Sequence, residues 1–160
     1  LRILFYDPFV SEGHDGAPGT KVSFQELLAQ SDIISVHPPL TASTRGMIDD
    51  RAFEHMKRGA LLVNVARGAI VDTAALIRAL DAGYIAACAL DTTDPEPLPN
   101  AHPLRNRDDV VITPHAAWYS EEAMAGLQAG APSEIRRVLS GEWPKNVVNS
   151  AVRGRNRAGL

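Results

Sequence analysis

Five side chains able to do chemistry stand at or just past the ends of short apolar runs. They are Asp7 after 3–6, His37 after 32–36, Arg67 two residues after 60–65, Asp91 after 85–90, and His115 three residues after 110–112. A histidine exchanges protons near neutral pH and is the commonest general acid or base. Glu96 lies in Asp91-Thr92-Thr93-Asp94-Pro95-Glu96-Pro97, where two prolines restrict the loop. A carboxylate bonded to an imidazole fixes the ring and favours its charged form. Glu96 and His115 therefore make a candidate proton-transfer pair, or two loop residues that never meet. The guanidinium of Arg67 can hold a carboxylate through two parallel hydrogen bonds. Gly68, next to it, would let the backbone approach a ligand. The alternative is a salt-bridged surface arginine.

Other chemistries lack their residues. The remaining histidines, His14, His37, His55 and His102, show no metal-ligand spacing such as H-E-x-x-H. No G-x-S-x-G nucleophile elbow occurs. Cys88, the single cysteine, lies among alanines and reads as a small buried hydrophobe. One cysteine excludes an internal disulfide framework and a zinc site built on several thiolates.

The elements that must position these residues alternate in type. Apolar runs at 3–6, 32–36, 60–65, 85–90 and 110–112 read as strands, and 21–22 as a very short one. Ser23 with Glu26 forms a capping-box pattern that opens a helix. Ala52, Phe53 and Met56 recur at helical spacing over 49–57, with Gly59 beyond. Asp72 caps a helix over 73–81, and Gly83 follows it. Residues 121–139 read as helix, with Gly126, Gly130 and Pro132 inside. The proline predicts a kink there, or a second helix starting at 132–134. Residues 11–20, with Gly13, Gly16, Pro18 and Gly19, read as loop.

This alternation predicts a parallel α/β sheet with helices on both faces. In such a sheet the ligand binds beyond the carboxyl ends of the strands. The five residues named first would gather on that edge. An acid ending the second strand of a dinucleotide fold accepts hydrogen bonds from the adenosine ribose and repels a 2′-phosphate. On that reading Asp7 selects NAD over NADP; on the other it caps a turn before Pro8. No G-x-G-x-x-G phosphate loop occurs in the chain. That loop belongs just upstream of the ribose-binding acid. Leu1 also opens almost directly into a strand. The expectation is a Rossmann-like domain lacking its first strand and glycine-rich loop, with a preceding segment missing.

The chain has 160 residues, 45% hydrophobic and 22% charged, which is globular composition. Its net charge of -3 argues against a nucleic-acid binder. No apolar run approaches the ~20 residues that cross a membrane. The absence of a secretory leader in the chain leads to an expected cytoplasmic location.

The motifs Tyr6-Asp7-Pro8, His37-Pro38-Pro39-Leu40-Thr41 with Thr44, Leu62 through Gly68, Asp91 through Pro97, and Thr113 through Ala117 occur in order. Together they resemble the D-isomer-specific 2-hydroxyacid dehydrogenases. The resemblance runs from residue 3 to about 149, where Gly141-Glu142 through Asn149 looks like the closing segment. Residues 115–121 and 134–137 look most like the C-terminal-binding-protein branch, which includes NAD-sensing corepressors. The resemblance implies an NAD-dependent oxidoreductase acting on a small 2-keto or 2-hydroxy acid, with homodimers likewise implied. Arg67 would bind the substrate carboxylate and carbonyl. His115, assisted by Glu96, would exchange the proton. Asp7 would hold the adenosine ribose, His37 and Pro38 would lie near the adenosine half, and Thr44 near the pyrophosphate. The Ala66 carbonyl and Asp91 would orient the nicotinamide carboxamide, and Trp118 would face the substrate. The implied organisation is a partial NAD-binding domain over 1–120, a helical segment over 121–149 returning toward a substrate domain, and a tail over 150–160. An NAD(H)-sensing binding module without turnover is the competing function.

Overall fold

The computed structural model describes residues 1–11 and 19–153. The loop reading of Gly13, Gly16 and Pro18, His14, and the tail from 154 onward lie outside the described residues. The chain divides into two compact units, Leu1–Ala117 and Trp118–Leu160.

The first unit runs β1 (Leu4–Phe5), β2 (Thr20–Lys21), α1 (Phe24–Gln30), β3 (Ile33–Val36), α2 (Asp50–His55), β4 (Ala60–Asn64), α3 (Thr73–Asp81), β5 (Ile85–Leu90) and β6 (Val110–Ile112). Side-chain caps start each helix. In α1 the Glu26 N–H donates to Ser23 Oγ at 3.2 Å, and the Ser23 N–H donates to Glu26 Oε2 at 2.9 Å. The capping box read from the sequence is therefore formed. Asp49 caps α2 through the Ala52 N–H, and Asp72 caps α3 through the Ala75 N–H, each at 2.9 Å. Arg78 on α3 grips Asp50 on α2 with two bonds of 2.9 and 2.7 Å. α2 ends at His55, capped by Met56, short of the turn at Gly59.

Strands β3, β4, β5 and β6 form a parallel sheet in that order. β1 and β2 pair, also parallel, in a separate two-stranded sheet. That sheet is tied to α1 by Tyr6 and Phe24, whose rings lie 5.6 Å apart. Among the described residues β1 and β3 do not pair, as expected for a split sheet.

Burial alternates along the larger sheet. Ile34, Leu62 and Cys88 are register partners on one face and are buried. They join Phe53, Ala75, Leu76 and Leu80 of α2 and α3 in one core. Burial pushes the Cys88 thiol up to about 12, which keeps it protonated and matches its reading as a small hydrophobe. The intervening residues Ile33, Leu61 and Val111 are 57%, 39% and 60% exposed. The three α-helices among the described residues of this unit pack on the buried face of its larger sheet, in the expected parallel α/β arrangement.

The second unit contains α4 (Glu121–Leu139), capped by Ser120 through the Ala123 N–H at 3.0 Å. Pro132 lies inside this one helix, so no second helix opens at 132–134. Ser133 donates to the Ala129 carbonyl at 2.6 Å, one turn back. Arg137 holds Glu142 at 2.6 Å, which closes the turn after the helix.

Candidate active site

Because β3 to β6 are parallel, their carboxyl ends share one edge, and His37, Arg67, Asp91 and His115 follow those ends. The register places Val36, Asn64 and Leu90 side by side, with Leu90 beside Ile112. The gathering expected from alternation is realised for these four.

Glu96 and His115 meet. His115 Nδ1 lies 2.6 Å from Glu96 Oε1, and the Thr93 N–H donates to Oε2 at 3.4 Å. Both side chains are about two-fifths exposed. The His115 bond holds the Glu96 carboxyl below the usual carboxylate range against the effect of burial. The Thr93 amide and the charges of His115 and Arg67 add to this. The peptide bonds Asp94–Pro95 and Glu96–Pro97 are both cis.

Asp91 aims the histidine loop. It is 6% exposed. Its Oδ1 accepts from Thr113 Oγ1 at 2.5 Å and from the Ala116 N–H at 2.8 Å, and its Oδ2 accepts from the Ala117 N–H at 2.9 Å. Burial alone would raise its pKa, but these three donors and the charge of His115 outweigh burial and lower it. The donors flank His115, whose φ of 54° lies in the left-handed region. For a non-glycine residue that conformation costs on the order of 1–3 kcal/mol, so the surrounding bonds must hold it. A carboxylate accepts at about four positions, which leaves one for a ligand such as a carboxamide.

Arg67 is exposed, and its Nη1 donates to the Ala66 carbonyl at 2.7 Å. Gly68 admits a close approach, but to protein and not to a ligand. A Cβ there would stand 2.0 Å from the Thr93 carbonyl carbon. The glycine thus lets the Arg67 loop lie against the loop that carries Glu96.

The other expected residues are placed as follows. Asp7 Oδ1 accepts the Phe9 N–H at 2.8 Å, the turn-capping role read as its alternative. His37 Nε2 lies 2.7 Å from Ser35 Oγ, and Pro38 follows it. Thr44 Oγ1 donates to the Pro39 carbonyl at 2.6 Å and accepts from the Thr41 N–H at 2.8 Å, so its hydroxyl closes the loop after β3. Trp118 belongs to the second unit, with its ring 5.8 Å from that of Tyr119. Sequence reasoning missed Asn64, a fully buried side chain bonded to the Arg67 loop. Its signal was a lone amide in an otherwise apolar strand.

An open cleft of about 600 Å³ is lined by Asp91, Glu96, Arg105, Thr113 and His115 among others. That volume suits a small ligand. Among the described residues no cluster of His, Cys, Asp and Glu could hold a metal ion. Acceptors at Asp7, Asp91 and the Ala66 carbonyl fit the hydroxyl and amide donors of a nicotinamide dinucleotide, and the sequence carries no glycine-rich loop for its phosphates.

Residues 1–117 match the family described as D-isomer specific 2-hydroxyacid dehydrogenase, NAD binding domain. The D-3-phosphoglycerate dehydrogenase of Archaeoglobus fulgidus is 44% identical over 93% of this chain and 28% of its own length. The glyoxylate reductase of Korarchaeum cryptofilum is 39% identical over 95% of this chain and 46% of its own length. The chain thus spans less than half of these curated relatives. A D-isomer-specific 2-hydroxyacid dehydrogenase of Xanthobacter autotrophicus Py2, solved with NADPH, is 42% identical, with a TM-score of 0.68 over 80% of this chain and 41% of that one.

Proposed function

The chain belongs to the D-isomer-specific 2-hydroxyacid dehydrogenase family, and from that premise we propose that it contributes the NAD side of an enzyme interconverting a small 2-keto acid and its D-2-hydroxy acid. The observation that carries this reading is the 2.6 Å Glu96–His115 pair beside Arg67 on the ligand edge of the sheet.

NAD(H), when bound, carries the hydride. Arg67 holds the substrate carboxylate and carbonyl, which sets the carbonyl carbon in position. In reduction His115 Nε2 would give its proton to the substrate oxygen, on which the C=O electron pair collects. Glu96 on Nδ1 orients the ring and balances its charge, and in the reverse direction His115 takes the proton back. Asp91 holds the histidine loop and offers its remaining acceptor to the carboxamide, together with the Ala66 carbonyl. Asp7 takes the adenosine ribose, His37 and Pro38 border the adenosine half, and Thr44 shapes the loop near the pyrophosphate. Trp118 lines the substrate side. Residues 1–120 form the partial NAD-binding domain, and 121–149 lead back toward a substrate domain. A homodimer and a cytoplasmic location belong to the same reading.

The protein from its complete reading frame should oxidise NADH in the presence of small 2-keto acids and release the D-hydroxy acid, read by absorbance and chiral chromatography. An L product, or neither NADH binding nor turnover, would overturn the reading. NADH binding without turnover of any 2-keto acid would favour the corepressor-like binding module, which residues 115–121 and 134–137 support. Trp118→Ala should raise KM more for bulky 2-keto acids than for glyoxylate, because only a larger side chain uses the aromatic wall. Unchanged relative KM values would remove Trp118 from the substrate site.

A further inference from the structure

We infer that Asn64 is a positioning residue that sets Arg67 against the Glu96–His115 pair; the inference rests on the dehydrogenase reading of the site. Asn64 ends β4 and is 0% exposed on the core face of the sheet, beside buried Leu62. An amide buried among apolar side chains is unfavourable unless its donor and acceptor are both used. Here each is used on the loop that follows. Asn64 Nδ2 donates to the Arg67 carbonyl at 3.0 Å, and Asn64 Oδ1 accepts from the Ala66 N–H at 3.0 Å. One planar group thus spans the backbone on both sides of the Ala66–Arg67 link.

The same residue also reaches the neighbouring loop. Its backbone carbonyl accepts the Asp91 N–H at 2.9 Å, where the segment bearing Glu96 begins. Four residues on, Gly68 lies against the Thr93 carbonyl with no room for a Cβ. Asn64 and Gly68 together fix the Arg67 loop against the 91–97 loop at two points. Arg67 itself is exposed and its guanidinium is bonded only to its neighbour's carbonyl among the bonds described. Its backbone position is therefore set from below, by Asn64, while its side chain stays available to a carboxylate. A valine or leucine at 64 would continue the apolar run, but would leave the Ala66 N–H and the Arg67 carbonyl without these partners.

The test is a double-mutant cycle in the protein from its complete reading frame. Asn64→Asp keeps an acceptor for the Ala66 N–H but turns a second oxygen toward the Arg67 carbonyl. Displacement of a substrate-positioning group by about 1 Å can cost about 10²-fold. We expect Asn64→Asp to lower kcat/KM for the 2-keto acid by that order, with a raised substrate KM and retained NADH affinity. In an Arg67→Lys background, where the two-pronged grip is already lost, the same change should cost little more, because residues acting through one another are non-additive. Asn64→Ser, which adds no charge, carries the same cycle if Asn64→Asp does not fold. Additive losses, or a fall in kcat with unchanged substrate KM in step with a lower Tm, would overturn the inference. The cycle is read in parallel by calorimetric binding of oxalate, which Arg67 can hold without turnover. Wild-type protein that binds oxalate through Arg67 but reduces no 2-keto acid would sink the functional reading, and coupling in oxalate binding would still support the role of Asn64.

Discussion

At His115 the backbone takes the one left-handed conformation of a non-glycine residue among the described residues, and Asp91 holds it there through the groups on either side. The ring is thereby delivered to Glu96. His115→Ala should lower kcat by about 10²–10⁴-fold, the usual share of general acid–base catalysis; near-normal rates across pH would refute the assignment. Glu96→Gln should lower kcat less than His115→Ala does, since it removes the carboxylate that orients the ring and leaves the proton donor in place. The Glu96 carboxyl is itself depressed, chiefly by His115. Its contribution to stability is therefore present above the ordinary carboxylate range and is lost as pH falls through its lower folded value. Acid unfolding of Glu96→Gln, followed by circular dichroism, should show a weaker dependence on pH in that window. In the proposed role of Asp7 at the adenosine ribose, its carboxylate repels a 2′-phosphate. Wild-type protein should show higher kcat/KM with NADH than with NADPH, and Asp7→Ala should narrow the gap. Equal values in the wild type would refute the role of Asp7.

The helices depend on single capping side chains. Asp72→Ala removes the acceptor for the Ala75 N–H at the start of α3, which should lower stability by about 1 kcal/mol in urea unfolding. α3 supplies Ala75, Leu76, Ala79 and Leu80 to the core, so the loss is felt by the sheet it covers. The connection after β4 depends on Gly68 instead. Gly68→Ala would drive a methyl into the Thr93 carbonyl, separating the Arg67 and Glu96 loops. It should reduce kcat/KM far more than Gly126→Ala, whose added Cβ meets nothing within 4 Å. Equal kinetics for the two variants would show that the packing of these loops is irrelevant to turnover.

Among the described residues, β1 and β3 each have an edge with no strand partner, and Ile33, Leu61 and Val111 are exposed, features that promote association. The 160-residue chain by itself should be poorly soluble or molten and should bind NADH weakly. Val111→Lys should reduce its dye binding and its concentration-dependent scattering, because a charge then stands among these exposed residues. A sharp cooperative melt of the isolated chain, shifted upward by NADH, would contradict this.

Short-range rules were enough for much of the fold. Alternating apolar runs gave the strands, and Ser23 with Glu26 and Asp72 with Gly83 marked α1 and α3, because caps and periodicity act within a few residues. The cluster His37, Arg67, Asp91 and His115 was legible because parallel strands put their carboxyl ends on one edge. Other properties depend on residues far apart in sequence. Whether Glu96 met His115 was open until the two loops were folded, and Gly68 faces Thr93 where its neighbours suggested a ligand. Pro132 stays within one helix, against its local preference. The use of Asn64 and Asp91 as braces could not be read from residue type, because a buried polar side chain acquires its role from the backbone groups that tertiary packing places around it.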